Sequence, residues 1–170
     1  PIGRKNIQTN IINKSESEIR EYIDREITRG GQVLYIHNRI ETMNDEISYL
    51  KGINSNYKID NVHGRMSTQQ IQKVMNSFLS EKINILICTS IIESGLDMTN
   101  VNTIIINNAQ NFGLSQLHQI RGRVGRSAKQ AYAGMIIDDQ KKLTNEAQKR
   151  IDAFINTNSL AGGLDIASHD

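Results

Sequence analysis

The stretch I-N-I-L-I-C at residues 83–88 gives the clearest indication of the fold. An apolar run this short and continuous is typical of a strand that is buried on both faces of a parallel sheet. A second run, N-T-I-I-I at residues 102–106, has the same character. The two runs predict two buried strands of a parallel sheet.

Extended and helical patterns alternate along the rest of the chain. The apolar spacing predicts further extended segments at residues 1–14, 33–36, 58–62 and 131–137. Periodicity and capping patterns predict helices after Ser15, after Ile40, after Ser67, from Leu114 and from Asn145. Gly30 and Gly52 are expected to end the first and second helices. Alternation of this kind predicts an α/β fold, with a parallel sheet and helices on both faces.

The composition excludes several classes of protein. The 170 residues are 38% hydrophobic, which supports the core of one domain, and the net charge of +2 is too small to imply nucleic-acid binding by itself. The single cysteine, Cys88, excludes an internal disulfide and a zinc site built from thiolates, and it fits a reducing cytoplasm. No apolar run is long enough to cross a bilayer, and no set of metal ligands is apparent.

The densest positive charge lies in Q-L-H-Q-I-R-G-R-V-G-R-S at residues 116–127. Its three arginines, Arg121, Arg123 and Arg126, are interleaved with glycines, and residues 98–137 contain no acidic side chain. The planar guanidinium fork matches phosphate oxygens, and glycine lets the backbone approach a ligand. This arginine stretch therefore indicates a polyphosphate or nucleic-acid contact. A solvated basic loop is the alternative.

Two other segments have polar residues suited to phosphates. In T-S-I-I-E-S-G-L-D at residues 89–97, Thr89 and Ser90 are suited to a phosphate and Asp97 to ribose hydroxyls. The alternative is an ordinary loop in which Asp97 or Ser94 caps a short helix. His63 and Gly64 follow another predicted strand. We expect all these segments at the carboxyl ends of the strands, where ligands bind in such sheets.

The order of these segments resembles a known family. The sequences V-L-Y-I-H-N-R at 33–39, H-G-R-M at 63–66, the 89–97 loop and Q-I-R-G-R-V-G-R at 119–126 resemble motifs IV, IVa, V and VI of superfamily 2 helicases. Residues 112–127 are similar to the RecG-like group of DNA translocases. A-Q-K-R at 147–150 and the tail at 160–170 are most similar to bacterial transcription-repair coupling factors. The resemblance implies a second RecA-like motor domain at residues 1–159. It also implies that residues 160–170 begin a segment leading to a translocation motif.

The resemblance also implies roles for particular residues. Arg123 and Arg126 match arginines that reach the γ-phosphate of ATP, and Gln119 matches a residue that orders the phosphate site. Gly95 and Asp97 match positions near the ribose. The residues implied to line the DNA track are Asn38, Arg39, His63, Gly64, Thr89 and Ser90.

The function implied is that of a motor domain in a cytoplasmic, ATP-dependent translocase of double-stranded DNA. Such a protein displaces stalled RNA polymerase and couples transcription to nucleotide excision repair. ATP and Mg²⁺ would be held mainly by the first RecA-like domain, and polymerase and repair proteins would bind other domains. The chain has no phosphate-binding G-x-x-x-x-G-K-[ST] loop, so we expect it to be inactive alone. The alternatives are the same domain of the fork-remodelling helicase RecG, a stand-alone nucleic-acid-binding module, and a domain whose arginines bind an acidic protein.

Overall fold

A computed structural model describes residues 6–90 and 98–157. They contain six strands and five α-helices, and an α-helix separates each pair of successive strands except β4 and β5, between which residues 91–97 are not described. The strands are β1 (Gln8–Ile12), β2 (Gln32–Ile36), β3 (Ile59–Val62), β4 (Ile85–Cys88), β5 (Val101–Asn107) and β6 (Tyr132–Ile136). The helices are α1 (Glu16–Thr28), α2 (Met43–Ile53), α3 (Thr68–Leu79), α4 (Leu114–Arg121) and α5 (Asn145–Asn156).

The six strands form one sheet in the order β1-β6-β5-β2-β4-β3, and every pairing is parallel. All carboxyl ends therefore lie at one edge of the sheet, and each connection must return to the opposite, amino edge. The central strands β2, β4 and β5 are fully buried, as the apolar runs predicted.

Alternate side chains of the strands face two separate layers of helices. On one face, Leu34, Leu86 and Ile104 pack with residues of α3, α4 and α5. On the other face, Val33 and Ile105 pack with α1 and α2. The predicted parallel sheet with helices on both faces is confirmed.

Local capping fixes where two of the helices begin. The Ser67 hydroxyl accepts the Gln70 backbone N–H at 3.1 Å, and the Gln70 side chain accepts the Ser67 N–H, so both halves of the predicted capping box form before α3. Ser15 caps α1 through the Glu18 N–H. These two contacts start α3 and α1 at the residues that the sequence pattern indicates.

The second helix does not end at Gly52, as predicted, but one residue later. α2 passes through Gly52 and ends at Ile53, whose side chain is buried against the α1 layer. A glycine within a helix costs about 1 kcal/mol. Burial of an isoleucine side chain contributes about 1.5–3 kcal/mol, which is more than enough to extend the helix.

Some predictions lie outside the described residues. These are Gly95, Asp97 and the domain boundary between residues 159 and 160. None of the helices within residues 6–90 and 98–157 has the length and apolarity needed to cross a membrane.

Candidate functional site

Three polar side chains meet at the carboxyl edge of the sheet. Asn38 follows β2, and its Oδ1 accepts from the backbone N–H of Ser90 at 3.4 Å and from the Ser90 hydroxyl at 3.3 Å. The amide of Gln116, in the first turn of α4, donates to the Ser90 hydroxyl at 3.0 Å. These contacts join the loops after β2 and β4 to the start of α4. The backbone and hydroxyl groups at this edge are of the type that contact nucleic-acid phosphates.

The other residues implied to line the DNA track differ in their exposure to solvent. Arg39 and Gly64 are exposed, and His63 is half-buried, with its Nδ1 accepting the Arg65 N–H at 3.2 Å. Thr89 is only 7% exposed. The neighbouring Ser90 is half-buried and is therefore better placed than Thr89 to contact a ligand.

Beneath Asn38 and Arg39, the buried His37 is held in one tautomer. The Asn107 amide nitrogen lies 2.9 Å from His37 Nδ1 and can only donate, so Nδ1 accepts. In the neutral ring Nε2 then carries the proton and donates to the Thr42 hydroxyl at 2.7 Å. Burial lowers the pKa of His37 and outweighs the opposing effect of Glu46, while Lys14 and Arg39 lower the pKa further.

Glu46 is the ionic group of this buried layer. One of its carboxylate oxygens accepts from Lys14 Nζ at 2.6 Å and from the Tyr35 hydroxyl at 2.5 Å. Burial, together with the negative charge of Glu46, raises the pKa of Tyr35 well above its usual value, so the phenol stays a donor. These hydrogen bonds join the loop after β1 to β2 and α2 below the carboxyl edge of the sheet.

The arginines of the stretch lie at and beyond the other end of α4, and the first of them, Arg121, points inward. Arg121 is 1% exposed. Its guanidinium donates to the Thr9 hydroxyl at 2.9 Å, to the Phe154 carbonyl at 2.8 Å and to the Thr157 carbonyl at 2.9 Å. It also contacts the ring of Phe154, 3.9 Å from the centroid. The interpretation of Arg121 as a phosphate contact is therefore wrong, because its guanidinium is buried and its two terminal nitrogens donate within the domain.

Arg123 and Arg126 remain suited to a ligand. Arg126 is exposed, and one of its terminal nitrogens donates to the Gly122 carbonyl at 3.4 Å. Arg123 is half-buried, and Gln119 is exposed on the last turn of α4. Between the two arginines, Gly125 has φ +76°, and a Cβ there would lie 3.1 Å from side-chain atoms of both Ile7 and Ala131. This position therefore requires glycine in the backbone path that separates the arginines.

The expected location at the carboxyl edge is also wrong for the part of the arginine stretch that follows α4. The Ser127 hydroxyl donates to the side chain of Asn102, which lies at the start of β5. Gly125 approaches Ile7 and Ala131, which immediately precede β1 and β6. The physical reason is that α4 must return from the carboxyl edge to the amino edge before the parallel strand β6. Gln116 and Arg126 therefore lie at opposite ends of the helix.

Sequence reasoning missed the contributions of Gln116 and His37. Gln116 lies within the arginine stretch and His37 within the segment 33–39, but the sequence pattern implies no role for either residue. The position of His37 directly after a buried strand was the available signal. Its partner Asn107 is 70 residues away in sequence and is brought to His37 by the pairing of β2 with β5.

The described residues offer no cluster of three or more His, Cys, Asp or Glu side chains that fits a metal ion. Arg123 and Arg126 fit the charge of nucleotide phosphates, whereas the described part of the chain supplies no such set for Mg²⁺.

Comparison with known proteins now identifies the family. The helicase conserved C-terminal domain matches residues 14–128. The chain belongs to this helicase family. Its similarity extends over all 170 residues to two transcription-repair-coupling factors. One is from Buchnera aphidicola (subsp. Acyrthosiphon pisum), at 44% identity, and the other from Escherichia coli, at 42%. The chain spans 21% and 15% of the lengths of these relatives.

Solved structures show the same architecture. RecG bound to a three-way DNA junction matches 98% of this chain and 22% of that chain, with a TM-score of 0.80 at 33% identity. A DEAD box protein from Methanococcus jannaschii matches 88% of this chain and 40% of that one, with a TM-score of 0.64 at 25% identity. The predicted RecA-like fold and the resemblance to coupling factors are confirmed.

The lowered pKa of His37 predicts a loss of stability in acid. Below pH 6.5 the unfolded chain binds a proton at His37 before the folded chain does. The free energy of unfolding should therefore fall as the pH drops from about 6.5 through the lower folded-state pKa. His37→Gln removes this ionisation and should lose less stability than the wild type between pH 7.5 and pH 5. Urea unfolding at several pH values measures the difference.

Thr42→Val is the matched control, because it removes the Nε2 partner but keeps the imidazole. It should retain the acid-dependent loss. Equal pH profiles for the wild type and His37→Gln would contradict the assignment of a buried, neutral His37.

Proposed function

We propose that this chain is the second motor domain of an ATP-dependent translocase of double-stranded DNA, of the transcription-repair coupling type. In the whole protein, the motor would displace stalled RNA polymerase and lead to excision repair. Polymerase and repair proteins would bind to other domains, and the protein would work in the cytoplasm. The similarity to coupling factors over the whole chain supports this choice.

The observation that carries the proposal is the placement of two different sets of side chains at the two ends of α4. Asn38, Ser90 and Gln116 form hydrogen-bonding groups at one end, and Arg123 and Arg126 follow the other. A motor needs one surface for the nucleic-acid backbone and another for the nucleotide. A rigid helix of eight residues, about 12 Å long, connects the two.

At the nucleotide end, Arg123 and Arg126 would act on ATP held mainly by the first motor domain. ATP supplies the phosphoryl group that is transferred to water, and Mg²⁺ bound by that other domain would neutralise part of its charge. The arginines of this chain would stabilise the negative charge on the transferring phosphoryl group, and Gln119 would order the phosphate site. We also propose that Gly95 and Asp97 lie near the ribose.

At the DNA end, the chain would hold the backbone without reading bases. Neutral donors such as the Ser90 hydroxyl and the Gln116 amide would position phosphates, and Arg39 would add charge. His63, Gly64 and Thr89 would line the same track. A translocase must release and rebind at every sequence, so contacts confined to the backbone suit its task.

The fork-remodelling helicase RecG provides a second candidate of the same mechanical class. The structural similarity to RecG, with a TM-score of 0.80, favours it, whereas the identities of 42–44% to coupling factors favour the first candidate. Polymerase displacement by the whole protein distinguishes the two, since only a coupling factor should show it.

The first functional prediction concerns Arg123 and Arg126, which we call the nucleotide arginines because of their proposed role. In the whole protein, Arg126→Ala should reduce the kcat of DNA-stimulated ATP hydrolysis by roughly 10³-fold or more, the range known for arginine fingers. The stability of the domain should change by no more than about 0.5 kcal/mol, because Arg126 is exposed. Steady-state ATPase assays paired with urea unfolding measure both effects.

Lys129→Ala is the matched control, since Lys129 is exposed in the same loop and carries the same charge. Its kcat should stay close to that of the wild type. Equal losses in the two variants would show that general positive charge, and not a specific arginine, supports hydrolysis.

The second functional prediction separates charged from neutral DNA contacts. Arg39→Ala should make the slope of log K against log salt shallower by about 0.9, because one phosphate contact is lost. Ser90→Ala should weaken binding without changing the slope, since a hydroxyl displaces no counterion. Fluorescence anisotropy with duplex DNA at several salt concentrations measures both quantities.

Lys51→Ala serves as the control for Arg39→Ala. Lys51 is exposed at the last turn of α2, which is remote from the carboxyl edge. If its removal changed the slope as much as that of Arg39, the binding surface would not be at the carboxyl edge.

The third functional prediction is that this chain alone hydrolyses no ATP. Its sequence has no phosphate-binding loop, and the arginines can act only on a nucleotide held by a partner domain. Phosphate release should stay at background with duplex DNA present and should appear when the chain is joined to a first motor domain. DNA-stimulated release by the purified chain alone would contradict the division of the site between two domains.

A further inference from the structure

The buried Arg121 is the strongest feature that the proposed function does not use. It is a permanent charge with 1% exposure, and within residues 6–90 and 98–157 no carboxylate forms an ion pair with it. Burial lowers the pKa of Arg121 to about 10, which shows that the surroundings disfavour the charge. A side chain needed only to fill this space would more simply be apolar.

The partners of Arg121 come from three separate parts of the fold. Its Nη1 donates to Thr9 of β1 and to the Phe154 carbonyl, and its Nη2 lies 3.1 Å from His118 Nδ1 and donates to the Thr157 carbonyl. The two carbonyls belong to the last turn and the cap of α5. Carbonyls at a helix C-terminus lack intrahelical partners and carry the negative end of the helix dipole, so they suit a cation.

The hydrogen bonds of Arg121 affect the nucleotide arginines because Arg121 lies close to them in the chain. It is the last residue of α4, two residues before Arg123 and five before Arg126. Gly122 and Gly125 lie among these residues, and glycines by themselves hold a loop weakly. The contacts of Arg121 therefore fix the position of the backbone from which the side chains of both nucleotide arginines extend.

We propose that Arg121 is a positioning residue for ATP hydrolysis. By binding the end of α5 and Thr9, it holds Arg123 and Arg126 in the direction needed to reach the nucleotide. It contacts no ligand itself. The orientation of the nucleotide arginines thus depends on the end of α5, from which the chain continues beyond Thr157. This inference rests on the proposed function, because it assigns Arg121 to the same reaction.

The test is Arg121→Met in the whole protein, with ATPase kinetics at saturating duplex DNA. Methionine keeps an unbranched apolar side chain for packing on Phe154 but cannot bind the carbonyls. We expect kcat to fall by about 10- to 100-fold, because small misplacements of a catalytic group have effects of this size. The KM for ATP should change by less than about threefold, since ATP is held mainly elsewhere. Hydrogen exchange in residues 122–130 should become faster.

Phe154→Leu is the control for packing, because it loosens the same contact while keeping the guanidinium. A kcat near that of the wild type in this variant, with the loss in Arg121→Met, supports the inference. If both variants lose activity in proportion to the fraction unfolded, Arg121 is merely structural. An unchanged kcat in folded Arg121→Met also overturns the inference.

Arg126→Ala, measured in the same assay, separates this inference from the proposed function. If Arg126→Ala has normal activity, the nucleotide role of the arginine stretch fails. If Arg126→Ala is inactive and Arg121→Met is normal, the proposed function stands and the positioning role of Arg121 fails.

Discussion

The constraint on which the rest of this structure depends is that all six strands are parallel. Every strand ends at the same edge, so residues from loops far apart in sequence, such as Asn38 and Ser90, become neighbours. Every connection must also travel back to the amino edge. Because α4 runs from the carboxyl edge to the amino edge, Gln116 lies beside Ser90 while Arg126 lies beyond the opposite end of the same helix. One topological rule thus both collects the polar cluster and separates it from Arg123 and Arg126.

Much of the fold was predictable because its signals are local. Short continuous apolar runs mark β4 and β5, and the Ser67–Gln70 pair marks the start of α3. The error at Gly52 shows the limit of such signals, since burial of Ile53 outweighs a local preference for ending the helix. Strand order is not local, and for that reason the hydrogen bond between His37 and Asn107 was not predictable from spacing alone.

The arginine stretch shows a different limit. Three arginines of identical chemistry occur within six residues, and the charge pattern gives no reason to separate them. The helical period does separate them: Leu114, Leu117 and Arg121 recur at intervals of three and four, so they share the buried face of α4. Arg123 and Arg126 follow the end of the helix and therefore do not lie on its buried face. A charge on the apolar stripe of a helix was therefore the sequence signal for an internal role.

The energetics of Arg121 indicate why such a charge is tolerated. Removing a guanidinium from water has an effective cost of several kcal/mol, and hydrogen bonds to a charged group recover about 1.5–3 kcal/mol each. The bonds to Thr9, Phe154 and Thr157 can therefore offset the desolvation without leaving a large surplus of stability. An interaction that contributes little net stability still has strong directional preference, because the planar fork must meet all its acceptors together. Arg121 is best understood as fixing the relative positions of α4, α5 and β1. Geometry of this kind matters most next to Arg123 and Arg126, which we propose to reach a phosphate held by another domain.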